Sequence, residues 1–552
     1  MTHLSAFMGK FAKGVIIMAV LSGISVNGAS TEQGIYFAKK KYVPKPLPVF
    51  ENTKDKLPAP IYDEDPNYVS CYWKAWDLAF KNFHEPSPES GFVSQYIDAA
   101  FNQNIFLWDS CFLTMFCNYA HPYVPGIGTL DNFYAKQYED GEICREIDRK
   151  TGKGWKPWIN KEDKPLFTRW GYSTDEKEDE VLYRGRDIPK PNPKLTLDAL
   201  NHPILAWAEV QSYRHTADRE RLELVWEPLV RYYQALQKYI RQGNGLYMTD
   251  WASMDNSPRN IHLKGGGTGI DISCEMVLFA RNLAQIAEIL GETKKAQRYN
   301  SEAEQLSALI NKHMWDGYRQ FYFDLTLEGE RAPVKSIAAF WALLAKVAPK
   351  PHADALTNEL VDPDTFKTVH RVPTLAANEE VFNPKGGYWR GAVWAPTEKM
   401  VIQGLENYGY DGLAREIAMN HLACVVDVYK ESGTIWENYA PQSVSRGGPS
   451  RKDFVGWSGL GPIAFLIEYA IGIKADAPGN LICWNIHSDK RVGIKRFWFG
   501  GNTVSLVCEE AASDGKRLLR IQSEKAFRLT IRRNGKATEI QIPAAESFQV
   551  RI

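Results

Sequence analysis

No basic stripe runs along this chain. Its 66 Lys and Arg are matched by 66 Asp and Glu, so the formal net charge is zero. A neutral chain offers no electrostatic footprint for nucleic acid, which removes that class of partner. Cysteine is scarce and scattered: eight residues, at 71, 111, 117, 144, 274, 424, 483 and 508, with no CxxC pair. Structural zinc is therefore not expected. The thiols read mostly as small buried hydrophobes, and Cys111 with Cys117 is the one pair to check for a bridge. Apolar runs of membrane-spanning length are missing too. Lys10 and Lys13 precede a short apolar core, Val15 to Val20 and on to Ile24, followed by Gly28-Ala29-Ser30. That order reads as a signal peptide over 1–30, too short to span a bilayer comfortably. No Cys lies near the cut, so no lipid anchor is expected. The protein is expected to be exported, periplasmic or extracellular, without membrane insertion once the signal is removed.

At 552 residues the chain can bury a large core and hold more than one domain. Residues 31–66, rich in Pro and Lys, read as an extended surface arm. From 67 to 475 the pattern is helical. Trp226, Leu229, Tyr233, Leu236 and Ile240 recur at three-to-four spacing, as do Met276 to Leu290, Tyr299 to Met314 and Leu413 to Val428. Between them lie long Gly-, Pro- and Trp-bearing stretches: 148–200, 243–271, 376–392 and 431–456. Loops of that length in a compact domain tend to be functional or disordered, and their Trp content argues against disorder. The fold class is mostly α, a toroid of helical hairpins whose long loops gather at one end. From 478 to 552 the pattern becomes short strands with Gly500-Gly501-Asn502 and Asn534-Gly535 turns, a small C-terminal β-sandwich.

The chemistry-bearing stretches sit in those loops. Gly433-Thr434-Ile435-Trp436-Glu437-Asn438-Tyr439-Ala440-Pro441 sets a carboxylate between a Trp and an amide. Thr249-Asp250-Trp251-Ala252-Ser253-Met254-Asp255-Asn256-Ser257-Pro258-Arg259 holds two Asp, a Trp, an amide and an Arg. Gly386 to Pro396 contains Tyr388-Trp389-Arg390-Gly391-Ala392-Val393-Trp394. Phe106-Leu107-Trp108-Asp109-Ser110 and Asp131 to Gly141 complete the set. Cleaving a glycosidic bond takes one protonated and one ionised carboxyl group on either side of it. Asp255 and Glu437 meet that requirement chemically.

These motifs, in this order over about 100–475, resemble the clan of (α/α)6-barrel glycosidases that contains trehalases, processing α-glucosidase I and mannosylglycerate hydrolase. Within it the likeness is to glycoside hydrolase family 63 and its bacterial relatives. Asn201 to Glu209 and Asp453-Phe454-Val455-Gly456-Trp457 carry the resemblance further. It implies an (α/α)6 toroid, with Asp255 as general acid and Glu437 as general base of an inverting mechanism. A water would sit between Glu437 and the sugar, with the carboxyl groups about 6.5–9.5 Å apart. Trp389, Arg390 and Trp394 would line the sugar subsite, helped by Trp108, Asp109 and Trp251, with Asn256 and Trp457 as further contacts. Asp109 and Asp250 read as supports of the site or sugar-hydroxyl acceptors, and equally as purely structural caps.

The Ser253 to Arg259 run departs from the Trp-Asp-Phe-Ser-Ser-Arg-Trp type of trehalases. That favours an exo-acting α-glucosidase releasing terminal α-glucose from a small carbohydrate. Trehalose, mannosylglycerate or another small α-glycoside is the alternative. Polysaccharide lyases also use α/α toroids, and a binding protein without catalysis is a third class. No cofactor is required. Some members of the group bind calcium, but the acidic run Asp175 to Glu180 lacks the alternating ligands and glycine of a calcium loop. Any calcium is unplaced, and the oligomeric state is open.

Overall fold

The computed structural model describes residues 34–552, except 100, 156, 160–166, 170–186, 190–194, 251–253, 264 and 514. The expected signal peptide, Trp251 and the acidic run Asp175 to Glu180 lie outside the described residues.

In chain order the principal helices begin with α1 (Pro66–Phe80), α2 (Leu107–Cys117), α3 (Leu205–Thr216), α4 (Arg219–Ile240) and α5 (Ile270–Ile289). They continue with α6 (Thr293–His313), then α7, a 3-10 turn Ile337–Phe340 running into Trp341–Leu344, and α8 (Lys350–Val361). The last are α9 (Ala395–Glu406), α10 (Asp411–Ser432) and α11 (Gly461–Ile471), the last wound as a π-helix. Residue pattern decides which of them form the inside. All 11 residues of α2 are buried, and so is nearly all of α11; a helix apolar all round has no solvent face. By contrast α4 buries Leu222, Val225, Leu229, Leu236 and Ile240 while Glu220, Glu223, Arg231 and Lys238 face water.

Six buried helices form a closed ring. α2 packs on α3, α3 on α5, α5 on α7, and α7 on α9. α9 packs on the turn Trp457–Leu460 that opens α11, and that turn returns to α2. Outside, α4 and α6 pack on α5, α10 on α9 and α11, and α1 on α11. This is the (α/α)6 toroid. Asp65 caps α1 by accepting from the Asn67 N–H, with Pro66 at its first position, and Asp218 caps α4 through the Arg221 N–H; each side chain satisfies a backbone donor that the helix leaves open.

The β region forms two sheets. Its strands are β1 (Ala59–Tyr62), β2 (Ile473–Asp476), β3 (Leu481–Asn485), β4 (Val492–Phe499), β5 (Asn502–Ala511), β6 (Arg517–Ser523), β7 (Phe527–Arg533), β8 (Lys536–Ile542) and β9 (Ala545–Arg551). One sheet runs β1-β4-β5-β6-β9 and the other β2-β3-β7-β8. The Gly500-Gly501 and Asn534-Gly535 turns have positive φ at both positions, as tight hairpins require. The arm does more than lie on the surface: β1 pairs antiparallel with β4, Ala59 opposite Lys495 and Tyr62 opposite Val492. Pro60 is tolerated there because β1 is an edge strand.

This domain docks at the C-terminal ends of the inner helices. The Gly500 N–H donates to His215 O (2.8 Å), Ala477 N–H to Arg214 O (2.7 Å) and Trp484 Nε1–H to Ile471 O (2.9 Å). The His121 ring stacks on Trp498 at 5.2 Å. All eight cysteines are free, and Cys111 and Cys117 lie on different faces of α2. Among the described residues, no helix is long and apolar enough to cross a membrane.

A nearly buried ion pair ties two inner helices together. Lys399 of α9 donates to both oxygens of Glu468 in α11, at 3.0 and 2.8 Å, and the Tyr119 hydroxyl bonds the same carboxylate. The Lys399 and Lys474 charges pull the Glu468 carboxyl down to about 2 against the effect of burial. Its ionised form therefore stabilises the fold above the ordinary carboxylate range, and that contribution is lost as pH falls through about 4.5 toward 2. Lys399→Met should destabilise the protein by about 3–5 kcal/mol at neutral pH, because Glu468 loses its nearest cation. Urea unfolding from pH 7 to 3 checks this, and the variant should show the smaller fall in stability with acid.

Candidate active site

Four of the sequence motifs come together because each leads into, or opens, the N-terminus of an inner helix. Phe106 is the extended residue before α2, so Trp108 and Asp109 fall in its first turn. Residues 254–269 precede α5, 386–394 precede α9, and 434–456 precede α11. The inner helices run the same way, with the β-domain at their other ends.

Gly433 ends α10 in the left-handed region at φ 69, where glycine carries no Cβ penalty. The chain then turns into a strip held on both sides. The Glu437 N–H donates to Arg451 O at 3.0 Å, and Tyr439 pairs with both Val393 and Arg446. The Glu437 side chain is 2% exposed. Its Oε2 accepts from the Arg451 backbone N–H (3.0 Å) and its Oε1 from the Tyr388 hydroxyl (3.1 Å). Burial raises its pKa, and these two donors offset part of the rise. Trp457 Nε1–H donates to the Glu437 carbonyl at 3.1 Å.

Asp255 sits in a loop fastened by a fully buried guanidinium. Arg259 forks onto Asp324 with two bonds of 2.8 Å and reaches Asp271 at 2.6 Å. Asn260 Nδ2 donates to the Met254 and Asp255 carbonyls. Asp255 keeps some accessible surface, yet desolvation pushes its carboxyl up to about 7. The Glu437 and Glu146 charges add to the rise and Arg145 opposes it. Asp109 is pushed up to about 8, again chiefly by burial, with Glu146 and Asp255 contributing. Arg145 Nε–H and Asn104 Nδ2–H both bond Glu146 at 3.0 Å.

The aromatic residues form one cluster. Trp389 stacks on Trp394 with centroids 4.4 Å apart and planes 6° from parallel. Trp457 lies 5.6 Å from Trp394, 6.3 Å from Trp108 and 5.2 Å from Phe101. Trp394 is fully buried, so it backs Trp389 rather than offering a face of its own to a sugar. The Trp108 indole N–H finds no acceptor among the described residues. Arg390 is buried and its Nε–H points to Asn256 O at 3.4 Å. The Asn256 amide is engaged by protein: it donates to Gly387 O and accepts from the Trp389 N–H. Asp250 is buried beside this loop.

Thus Asp109, Asp255 and Glu437 share one charge environment, and Trp108, Trp389, Trp394 and Trp457 share one aromatic wall. Sequence reasoning did not assign Tyr388, Arg145, Glu146 or Arg451. Tyr388 was legible as the residue between Gly387 and Trp389 in a Gly- and Trp-rich motif, and Arg145-Glu146 as the end of the acidic run from Asp140. Arg451 contributes a backbone N–H, which leaves no mark in sequence. Among the described residues, no three His, Cys, Asp or Glu side chains group as a metal site.

A closed ring of helices carrying paired carboxyl groups and an aromatic wall defines the class of a toroidal glycosidase. A family model described as "Mannosylglycerate hydrolase MGH1-like glycoside hydrolase domain" matches residues 189–458. An uncharacterized protein of Borreliella burgdorferi is 26% identical over 454 residues, 79% of this chain and 86% of that protein. A probable mannosyl-oligosaccharide glucosidase of Schizosaccharomyces pombe is 24% identical over 225 residues, 38% of this chain and 28% of that protein. The crystal structure of a family 63 mannosylglycerate hydrolase from Thermus thermophilus, in complex with glucose, superposes with a TM-score of 0.52. It shares 20% identity, over 71% of this chain and 99% of that one, a likeness of fold. The chain is a glycoside hydrolase with an (α/α)6 toroid, similar to the enzymes of glycoside hydrolase family 63.

Because the Arg145 charge lowers the Asp255 pKa, Arg145→Gln should raise it. If Asp255 must be protonated to act, activity falls as pH rises through about 7. The alkaline limb of kcat/KM should therefore move upward in the variant, which a pH–rate profile would read directly.

Proposed function

We propose that this hydrolase is an inverting, exo-acting α-glycosidase that releases terminal α-glucose from a small oligosaccharide or disaccharide. Asp255 is the general acid and Glu437 the general base. The observation that carries this reading is the asymmetry of the two carboxyl groups. Asp255 is pushed up to about 7 and keeps a proton for the leaving oxygen, while Glu437 takes two donors that favour its ionised form. A pair so arranged can protonate the glycosidic oxygen on one side and take a proton from an attacking water on the other. The water's oxygen joins the anomeric carbon as the C–O bond to the leaving group breaks. The acid and base exchange protonation states, and solvent resets them. Trp389, Arg390, Trp108 and Asp109 would hold the sugar, with Trp457 closing the wall. No cofactor takes part in this scheme.

A second substrate reading, mannosylglycerate or another small glycoside bearing an anion, is favoured by the description of the matched family model. An anionic leaving group needs a cation, and Arg451 and Arg145 both stand beside the carboxyl pair. Export rests on the sequence of residues 1–30.

The test is an anomer-resolved proton NMR time course on α-linked glucose disaccharides and mannosylglycerate. The expected first product is the β-anomer of the released sugar. Glu437→Gln and Asp255→Asn should each lower kcat by roughly 10²–10⁴. Early α-anomer would overturn the inverting mechanism and recast Glu437 as a nucleophile.

A further inference from the structure

Asn256 follows Asp255 directly, yet its side chain bonds neither carboxyl group of the pair. Its Nδ2–H donates to Gly387 O at 3.0 Å and its Oδ1 accepts from the Trp389 N–H at 2.9 Å. Those two peptide groups flank Tyr388. Tyr388 has φ 61, in the left-handed region that bulky residues rarely occupy. The residue before it, Gly387, has φ 53, and a Cβ there would stand 2.7 Å from the Asn383 Cβ. The Tyr388 ring meets Trp394 edge-on at 4.9 Å. Held this way, its hydroxyl reaches Glu437 Oε1 at 3.1 Å. A continuous chain of bonds therefore runs from the residue beside Asp255, through both peptides around Tyr388, to the Glu437 carboxylate.

We propose that Asn256 and Tyr388 form a strut that sets the position of Glu437 relative to Asp255, with Asn256 a positioning residue rather than a sugar contact. The proposal rests on the acid and base assignment above. Inversion needs the two carboxyl groups spaced to admit one water, and small misplacements of reacting groups cost large factors in rate. Backbone pairing of Val393 with Tyr439, and of Gly387 N–H with Gly448 O, joins the loops but leaves the Tyr388 side chain undirected. The Arg390 and Ala392 N–H groups bond Gly387 O (3.3 Å) and Tyr388 O (3.2 Å) within the same loop, and the Asn256 amide adds the clasp that ties both peptides to the Asp255 loop. The titratable and charged groups around Glu437 are Asp255, Tyr388 and Arg451. Of these, Tyr388 is the one whose flanking peptides the Asn256 side chain bonds.

The test uses the full chain and the variants Asn256→Ala, Tyr388→Phe and the double variant. The substrate probes are α-D-glucosyl fluoride and α-D-mannosyl fluoride, whose leaving group departs without a proton from Asp255. Both single variants should lose roughly 10- to 100-fold in kcat, with KM little changed. In both, the acid limb of the pH profile should move to higher pH, because the charged form of Glu437 loses a donor. The double variant should show no further shift. In the crystal structure of Asn256→Ala, Tyr388 should leave positive φ and its hydroxyl should part from Glu437. If that variant does not fold, Asn256→Asp carries the same test, since it keeps the acceptor for Trp389 and loses the donor to Gly387. An Asn256 variant whose Tyr388 stays on Glu437, or whose acid limb is unmoved while that of Tyr388→Phe shifts, overturns the strut. Glu437→Gln on the same fluorides judges the base assignment separately. Retained turnover there would sink that assignment, while the variant structures still decide the strut.

Discussion

Taking a carboxylate out of water costs several kcal/mol per ion even after the protein relaxes around it, and the open end of this ring does so to Asp255, Glu437 and Asp109 together. Three such groups cannot all stay ionised in a dry pocket. Which of them keeps its charge depends on who donates hydrogen bonds to it. Glu437 has a backbone N–H and a phenol. Asp255 has Glu437 and Glu146 nearby as like charges, countered by Arg145. The remaining features of the site read as means of maintaining that difference: the Arg259 fork beneath the Asp255 loop, the strip pairing around Glu437, and the indole wall beside them.

The architecture supplies this arrangement through direction. An inner helix that is apolar all round, as α2 is, has no choice about burial, and α2, α5, α9 and α11 present their N-termini to one end. The loops that feed those termini must meet there. The β-domain takes the opposite end, through backbone bonds to Arg214, His215 and Ile471. It closes the bottom of the ring and stays remote from Asp255 and Glu437.

Much of this was legible in the sequence. The Trp226 to Ile240 period gives α4 nearly to its last residue, and Asn534-Gly535 marks a hairpin because few other pairs accept two positive φ values. α7 is harder: Ile337 to Leu344 is a continuous apolar run with no period, since every side of it is buried. β1 was hidden because its partner lies more than 400 residues away and its own four residues include Pro60. At the site, the carboxylates and tryptophans announce themselves by residue type. The use of Asn256 as a clasp does not, since an amide beside a catalytic Asp looks the same whether it meets a sugar or a peptide bond. Nor does Tyr388, whose role comes from a left-handed backbone that sequence reserves for glycine.

The closure of the ring has a consequence for how the chain is made. The seam between α2 and the Trp457–Leu460 turn, and the zipping of β1 onto β4, each join residues near the start of the described chain to residues near its end. Contacts so distant in sequence form late and slowly. A nascent chain emerging from the ribosome holds α2 and β1 early and must wait for their partners until nearly all of it has been synthesised. Until then the apolar inner helices have no complete core to enter. Such a chain exposes apolar surface throughout its synthesis, and the ring closes only when its last helix arrives.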